Sequence, residues 1–139
     1  MPERRLPSSL WFLAALLALA IATAIVAGAV LYAQYRTKSR IQAEMSTRGS
    51  VADGPAAFAR YGCGGCYMIP GISGANGKVG PNLAQVAKRA TIAGSLSNDP
   101  ETMVRWLEHP QALRPGSGMP EMGVTDKDAR AMAAYLYSK

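Results

Sequence analysis

The sequence has 139 residues, 49% of them hydrophobic, with 15 Lys and Arg against 9 Asp and Glu, two Cys and one His. This length has room for one small domain and an appendage. Two Cys exclude a disulfide scaffold and a four-thiolate zinc site, and a single His excludes His-rich metal centres and most catalytic triads.

An uncharged apolar run over residues 10–32 predicts one transmembrane helix. Its 23 residues, at about 1.5 Å each, extend roughly 35 Å, which is enough to cross a bilayer core. A cleaved signal peptide is the alternative, because Arg4 and Arg5 form a short positive region and Ala27-Gly28-Ala29 has the form of a cleavage site. The run exceeds the roughly 7 to 15 residues of a signal-peptide core, which favours a membrane helix.

Basic residues flank this run, and four of them against one Glu lie within residues 36–48. We interpret this cluster as an anchor for lipid head groups. Residues 49–139 carry nine basic and seven acidic residues and no basic stripe, so nucleic-acid binding is not expected.

Four segments are therefore predicted: a cytoplasmic N-terminus at 1–9, the transmembrane helix at 10–32, a juxtamembrane tether at 33–52 and a folded domain at 53–139. The tether is polar and lacks a sustained apolar stripe, so we expect the membrane helix to continue into it for only a turn or two. Fully extended, the 17 residues from Arg36 to Ala52 reach about 56 to 60 Å, which keeps the domain near the membrane.

The first half of the domain predicts a helix, a long loop and a short helix. Asp53 and Pro55 open the first helix, and Cys63 lies at its end. Seven Gly and two Pro between Gly62 and Asn82 exclude a strand or a long helix there. Residues 83–90 are the short helix candidate.

The second half predicts two more helices around a Pro/Gly loop. Asp99-Pro100-Glu101 opens the first, which ends at His109-Pro110. The loop extends from Arg114 to Gly123. Thr125 caps the last helix, whose buried face is predicted to carry Met132, Tyr135 and Leu136. No alternating strand pattern occurs, so the domain is predicted to be all-α.

Cys63 and Cys66 lie three residues apart in Arg60-Tyr61-Gly62-Cys63-Gly64-Gly65-Cys66-Tyr67. This spacing serves a dithiol redox pair, half of a metal site, or two thioether bonds to a haem. A zinc site lacks its second Cys/His pair, and a thioredoxin-like motif lacks its βαβ context. A disulfide or a pair of idle thiols also stays open.

The order of motifs over residues 51–137 resembles class I c-type cytochromes. The matching segments are the helix with Phe58, Cys-Gly-Gly-Cys, Gly80-Pro81-Asn82-Leu83, a tryptophan helix ending in Pro110-Gln111, and Pro115-Gly116-Ser117-Gly118-Met119-Pro120. The chain is most similar to membrane-anchored members and to the cytochrome domain attached to some haem-copper oxidases. The resemblance implies short helices wrapped around one haem c.

The resemblance also implies roles for particular residues. Cys63 and Cys66 would hold haem c covalently, and Met119 would be the distal axial ligand, which raises the reduction potential. Met122 lies in the same loop and is the alternative ligand. The carbonyl of Pro81 would orient the proximal ligand as an outer-shell contact.

Residue 67 departs from the family pattern Cys-x-x-Cys-His, because Tyr67 occupies the proximal position. A tyrosine has one polar atom and cannot bind both iron and Pro81 as an imidazole does. Three accounts stay open: the phenolate binds iron, as Tyr does in catalase; the haem is five-coordinate or never attached; or residue 67 is a sequence variant. His109 carries the only imidazole in the chain that could replace the missing proximal ligand. The family fold would place it on the opposite side of the haem.

The implied function is a membrane-anchored electron carrier without enzymatic activity of its own. Its expected partners are the bilayer and a bacterial respiratory complex: a terminal oxidase, a quinol-oxidising complex or a dehydrogenase. Covalent haem attachment is completed in the periplasm, so we expect the domain there and the helix in the inner membrane. The flanking charges alone predict the reverse, but long domains translocate largely regardless of charge.

Two other functions stay open from the sequence. One is a haem-free accessory subunit that keeps the cytochrome fold. The other is a tethered thiol or copper protein, in which Met119 and Met122 would join the two Cys as soft ligands for Cu(I).

Overall fold

The structure is a computed structural model that describes residues 8–139, so most of the predicted cytoplasmic N-terminus, residues 1–9, lies outside the described residues. The chain divides into two compact units, one ending at Arg36 and one spanning Thr37–Lys139. The first unit consists of the N-terminal part of helix α1, Ser8–Thr47.

Helix α1 is long and apolar enough to cross a membrane. Its large apolar side chains are uncovered by protein; Trp11, Phe12 and Leu31 are 69%, 72% and 65% exposed. A helix that is apolar all round and lies outside a protein core requires an apolar solvent. The structure thus contains one candidate membrane span in the described part of the chain, as the sequence predicts.

Helix α1 continues much further than the turn or two expected beyond residue 32, because it ends only at Thr47. Within the second unit, Ala43 and Thr47 are buried. Arg130 Nη1 donates to the Thr47 carbonyl at 3.1 Å, and the Val51 amide donates to Glu44 Oε1 at 3.0 Å. The predicted tether is therefore largely helical, and its last turns are part of the folded domain.

The rest of the domain consists of short elements joined by ordered loops. In chain order these are α2 Gly54–Arg60, a 3-10 turn Cys63–Gly65, a 3-10 turn Val86–Lys88, β1 Thr91–Ile92, β2 Leu96–Ser97, α3 Pro100–Glu108, α4 Pro110–Leu113 and α5 Asp126–Tyr137. β1 and β2 pair antiparallel, with Thr91 opposite Ser97 and Ile92 opposite Leu96. The predicted all-α class is confirmed, with this two-residue hairpin as the one addition among residues 8–139.

Two predicted helix starts are confirmed by their caps. Asp99 Oδ1 accepts from the Thr102 amide at 2.9 Å, and Thr125 Oγ1 accepts from the Asp128 amide at 3.3 Å. Both capping residues have extended backbones, as N-cap residues should. Asp53 precedes α2 as predicted, but its backbone is helical and its side chain forms no cap bond.

The helix candidate over residues 83–90 is wrong, because only Val86–Lys88 forms a 3-10 turn. Gln85 has φ 54°, in the left-handed region, which interrupts any helix passing through it. Residues 110–113 form a separate helix, α4, that the sequence did not predict. Pro110 forces this break, since it disfavours a helical backbone at His109.

The core lies where α2, α3 and α5 meet. The predicted face of α5 is buried, with Met132, Tyr135 and Leu136 each at most 4% exposed. Phe58 of α2 packs edge-on against Tyr135, with ring centroids 6.0 Å apart. Because this core fixes α2, it also fixes the start of the segment that carries the two cysteines.

Candidate haem site

The two cysteines lie in a tight turn directly after α2. Gly62 has φ 67°, which a residue with a side chain rarely adopts, and the 3-10 turn Cys63–Gly65 follows. The Cys63 carbonyl accepts from the amides of Cys66 at 3.2 Å and Tyr67 at 3.0 Å. Both thiols are unbonded; Cys63 is half-buried and Cys66 is exposed. The turn therefore presents two reduced thiols on a fixed backbone.

The glycine-rich loop folds back over this turn. The Gly77 amide donates to the Gly64 carbonyl at 3.0 Å, and the amides of Val79 and Gly80 donate to the Cys66 carbonyl at 3.1 and 2.9 Å. A Cβ at Gly77 would overlap the backbone of Cys66. Gly77 is thus explained by close backbone approach, which a side chain would prevent.

Tyr67 packs against Gly80, the residue before Pro81, where the resemblance puts the proximal ligand. A Cβ at Gly80 would overlap the Tyr67 ring, so ring and backbone are in direct contact. The Tyr67 hydroxyl has no hydrogen-bond partner among residues 8–139 and is not sealed from solvent. The phenol oxygen is thus a potential metal-ligand atom that forms no hydrogen bond within the described residues.

Burial disfavours the charged forms of Cys63 and Tyr67. It raises the pKa of the Tyr67 phenol above its ordinary value of 10.0, and the neighbouring cysteines add to the effect. Burial is also the main cause that raises the pKa of the Cys63 thiol above 9.0. Both groups are therefore neutral near pH 7, since desolvation disfavours their charged forms.

Met119 lies in the Pro/Gly loop between α4 and α5. It is half-buried and packs against the hydrophobic core, whereas Met122 is 43% exposed. Gly116 has φ 77°, which allows the loop to reverse direction before Met119. The packing favours Met119 over Met122 as the candidate ligand.

Gln111 holds this loop, a role that the sequence did not indicate. Its side-chain amide donates to the carbonyls of Ser117 at 2.9 Å and Met119 at 2.6 Å. The only signal in the sequence is a long amide side chain placed just before a Pro/Gly loop. That signal is weak, because a surface Gln at a helix start is common.

His109 is separate from this set. Its side chain is 70% exposed, and Nδ1 lies 3.8 Å from Glu121 Oε2. The structure gives His109 a surface carboxylate as its neighbour, which agrees with excluding it as a replacement ligand.

The residues present fit a covalently held haem. Two unbonded thiols, an unused phenol oxygen and a half-buried thioether supply the donor set. Leu83, Leu96 and Trp106 pack against the core while keeping part of their apolar surface uncovered. An apolar cofactor can cover such surface and gain hydrophobic stabilisation.

Comparison with known proteins identifies the family of this domain. The family model for cytochrome c matches residues 51–139. Cytochrome c oxidase subunit 2 of Alkalihalophilus pseudofirmus is 32% identical over 98 residues, which is 70% of this chain and 28% of that protein. Cytochrome c oxidase subunit 2 of Bacillus sp. strain PS3 is 31% identical over 80 residues, 55% of this chain and 22% of that protein.

The chain spans about a quarter of the length of these curated relatives. No solved structure matches it significantly. The family match covers the whole region in which the sequence motifs occur, and both relatives carry the name of an oxidase subunit. The predicted relationship to c-type cytochromes and to the cytochrome domains of haem-copper oxidases is therefore confirmed, and this chain belongs to the cytochrome c family.

Proposed function

We propose that this protein is a membrane-anchored, one-electron carrier that holds a single haem c through Cys63 and Cys66. The observation that carries the proposal is the pair of unbonded thiols on a rigid turn, within a domain of the cytochrome c family. A haem bound there supplies reversible one-electron transfer between ferric and ferrous iron.

The two thiols attach the cofactor by simple addition. Cys63 and Cys66 would each hold the group by adding S–H across one vinyl group, which would form a C–S bond, place the hydrogen on the neighbouring carbon and need no oxidant or reductant. Both thiols are unbonded, which suits this addition, and the Cys63 carbonyl, which accepts from two amides, fixes their spacing. The exposed Cys66 is accessible to the machinery that attaches the group.

Met119 and Tyr67 are the proposed axial ligands. Met119 offers a thioether from a loop that packs on the core. Tyr67 offers the hydroxyl that the described protein leaves unpaired, next to Gly80 and Pro81. A phenolate ligand favours the ferric state, so we expect a lower reduction potential than a His/Met site gives.

The same domain suits a fixed place beside a respiratory complex. Helix α1 is a candidate membrane span, and its last turns belong to the domain, so the domain cannot diffuse away from the membrane. A held partner reacts at a high effective concentration, which replaces diffusion. Since both relatives are named as oxidase subunits, we propose a terminal oxidase as partner and a periplasmic domain.

A redox titration of the full-length protein in detergent tests the electron-carrier function. We expect one reversible transition with the slope of a one-electron couple, followed in the visible spectrum of the haem. A protein without a redox-active visible band would contradict the proposal. If such a protein instead bound stoichiometric Cu(I), the thiol/copper alternative would replace it.

A further inference from the structure

The loop that carries Met119 is held by one residue outside the loop. The Gln111 side chain donates through Nε2 to the Ser117 carbonyl, the Ser117 hydroxyl at 3.0 Å and the Met119 carbonyl. Its Oε1 accepts from the Gly116 amide at 3.0 Å. One amide group therefore binds three residues of the loop, and it uses both its donor and its acceptor.

The Gln111 backbone is fixed as well. Its backbone amide donates to Glu121 Oε1 at 2.9 Å. Because Glu121 follows Met119 in the loop, this bond also holds the far side of the loop to α4. Pro110 is buried at the start of α4, and the Arg114 amide donates to its carbonyl at 2.9 Å. The residue that holds the loop is thus itself anchored in the domain.

The glycines of the loop add no packing of their own. Gly116 and Gly118 lie in open space, with no atom within 4 Å of where a Cβ would be. Glycine in open space leaves a loop more conformational freedom, which must be removed by specific bonds. The hydrogen bonds of Gln111 supply that constraint at the residue that offers the thioether.

We infer that Gln111 is a positioning residue for Met119: its side-chain amide fixes the loop backbone and thereby sets how readily Met119 leaves the iron. This inference rests on the proposed role of Met119 as distal ligand. It assigns Gln111 no contact with the cofactor.

The test compares four variants in the full-length, detergent-purified protein. Gln111→Ala removes all the side-chain bonds, and Gln111→Glu keeps the shape and the acceptor for Gly116 but removes the donors. Gln42→Ala is the matched control, an exposed Gln on α1. Met119→Ala supplies the reference spectrum of a protein without the thioether ligand.

The main measurement is the equilibrium constant for loss of the Met119 spectral signal along a urea titration. We expect it to rise about tenfold in Gln111→Ala, equivalent to about 1.4 kcal/mol. The equilibrium constant should also rise in Gln111→Glu, and it should be unchanged in Gln42→Ala. Global unfolding, followed by circular dichroism, should shift less than the ligand signal. Equal shifts of the two signals would show a purely structural role and overturn the inference.

Amide hydrogen exchange separates this inference from the proposed function. Gly116 should exchange faster in Gln111→Ala, with or without haem, because its amide loses its acceptor. If the wild-type protein shows no haem, the proposed function fails, and faster exchange still supports Gln111 as the residue that fixes the loop. Unchanged exchange at Gly116 would overturn that role in either case.

Discussion

The two glycines between Cys63 and Cys66 have different surroundings. A Cβ on Gly64 would lie 2.8 Å from Ala75 Cα, whereas a Cβ on Gly65 would meet nothing within 4 Å. Neither residue has a positive φ, so the difference between them is one of space and not of backbone strain. Only Gly64 is required by the packing of the loop on the turn.

Substituting these glycines one at a time tests that packing. Gly64→Ala should lower the free energy of unfolding by about 1 to 3 kcal/mol, because the methyl group overlaps a backbone atom that cannot move freely. Gly65→Ala should change it by less than about 0.5 kcal/mol. Urea unfolding followed by circular dichroism measures both. Equal effects of the two substitutions would show that the loop does not pack on the turn in this way.

Tyr67 is the residue at which this chain departs from its family. Its ring contacts Gly80, and its hydroxyl has no partner within the part of the chain that the structure describes. The packing of the half-buried ring on Gly80 leaves the hydroxyl open to solvent and free to bind another group. We therefore expect the hydroxyl, and not the ring, to affect the iron.

Two substitutions at this position separate the ring from the oxygen. Tyr67→Phe keeps the contact with Gly80 and removes the donor atom, so the ferric spectrum should change while the haem stays attached. Tyr67→His should raise the midpoint potential, since an imidazole favours ferric iron less than a phenolate does. Optical spectra and redox titration measure these effects. An unchanged ferric spectrum in Tyr67→Phe would exclude Tyr67 as a ligand.

Helices α2 and α5 are joined at their polar ends by Asp128. Its carboxylate accepts from the Tyr61 hydroxyl at 2.9 Å and from Arg60 Nη1 at 2.6 Å. The bond from Tyr61 and the bond and charge of Arg60 lower the pKa of Asp128 below 3.8. A lowered carboxyl pKa stabilises the fold above the ordinary pKa, and this stability is lost as the pH falls through the lower, folded-state value.

Tyr61→Phe should weaken this link in a pH-dependent way. We expect the free energy of unfolding at pH 7 to fall by about 1 kcal/mol, the typical contribution of one hydrogen bond. The difference from wild type should shrink as the pH falls from about 4, where Asp in the unfolded chain becomes protonated, through the lower pKa of folded Asp128. Urea unfolding at several pH values measures this, with Tyr35→Phe on exposed α1 as control. A difference that grows toward acid pH would contradict the account.

Elements with a local signal could be predicted from the sequence, and elements set by long-range packing could not. Asp99 and Thr125 are N-caps followed by amphipathic helices, so α3 and α5 were identified correctly. The backbone at Gln85 is left-handed, and nothing in residues 83–90 indicates this. The β1–β2 hairpin has two residues per strand, too few to show alternation.

The residues of the candidate site likewise fall into those with a local sequence signal and those without one. Cys63 and Cys66 follow from spacing, and the Met119 loop from its Pro/Gly composition and the resemblance. The contribution of Gln111 depends on bonds to residues up to eight positions away in the sequence, and no local pattern encodes it.

At the scale of the whole molecule, the last turns of α1, from Thr37 to Thr47, are part of the second compact unit. The Thr47 carbonyl accepts from Arg130, and a Cβ on Gly49 would overlap the backbone of Arg130 on α5. The end of α1 and the last helix of the domain are therefore in close contact.

The central claim is that Cys63 and Cys66 hold a haem covalently, and haem staining on a denaturing gel tests it most directly. Covalent haem survives denaturation, so the full-length protein should give a stained band near 14.7 kDa. Intact mass should exceed the sequence mass by one haem, and Cys63→Ser/Cys66→Ser should lose both signals. An unstained wild-type band with two titratable thiols would contradict the account and identify a domain that keeps the cytochrome fold without its cofactor.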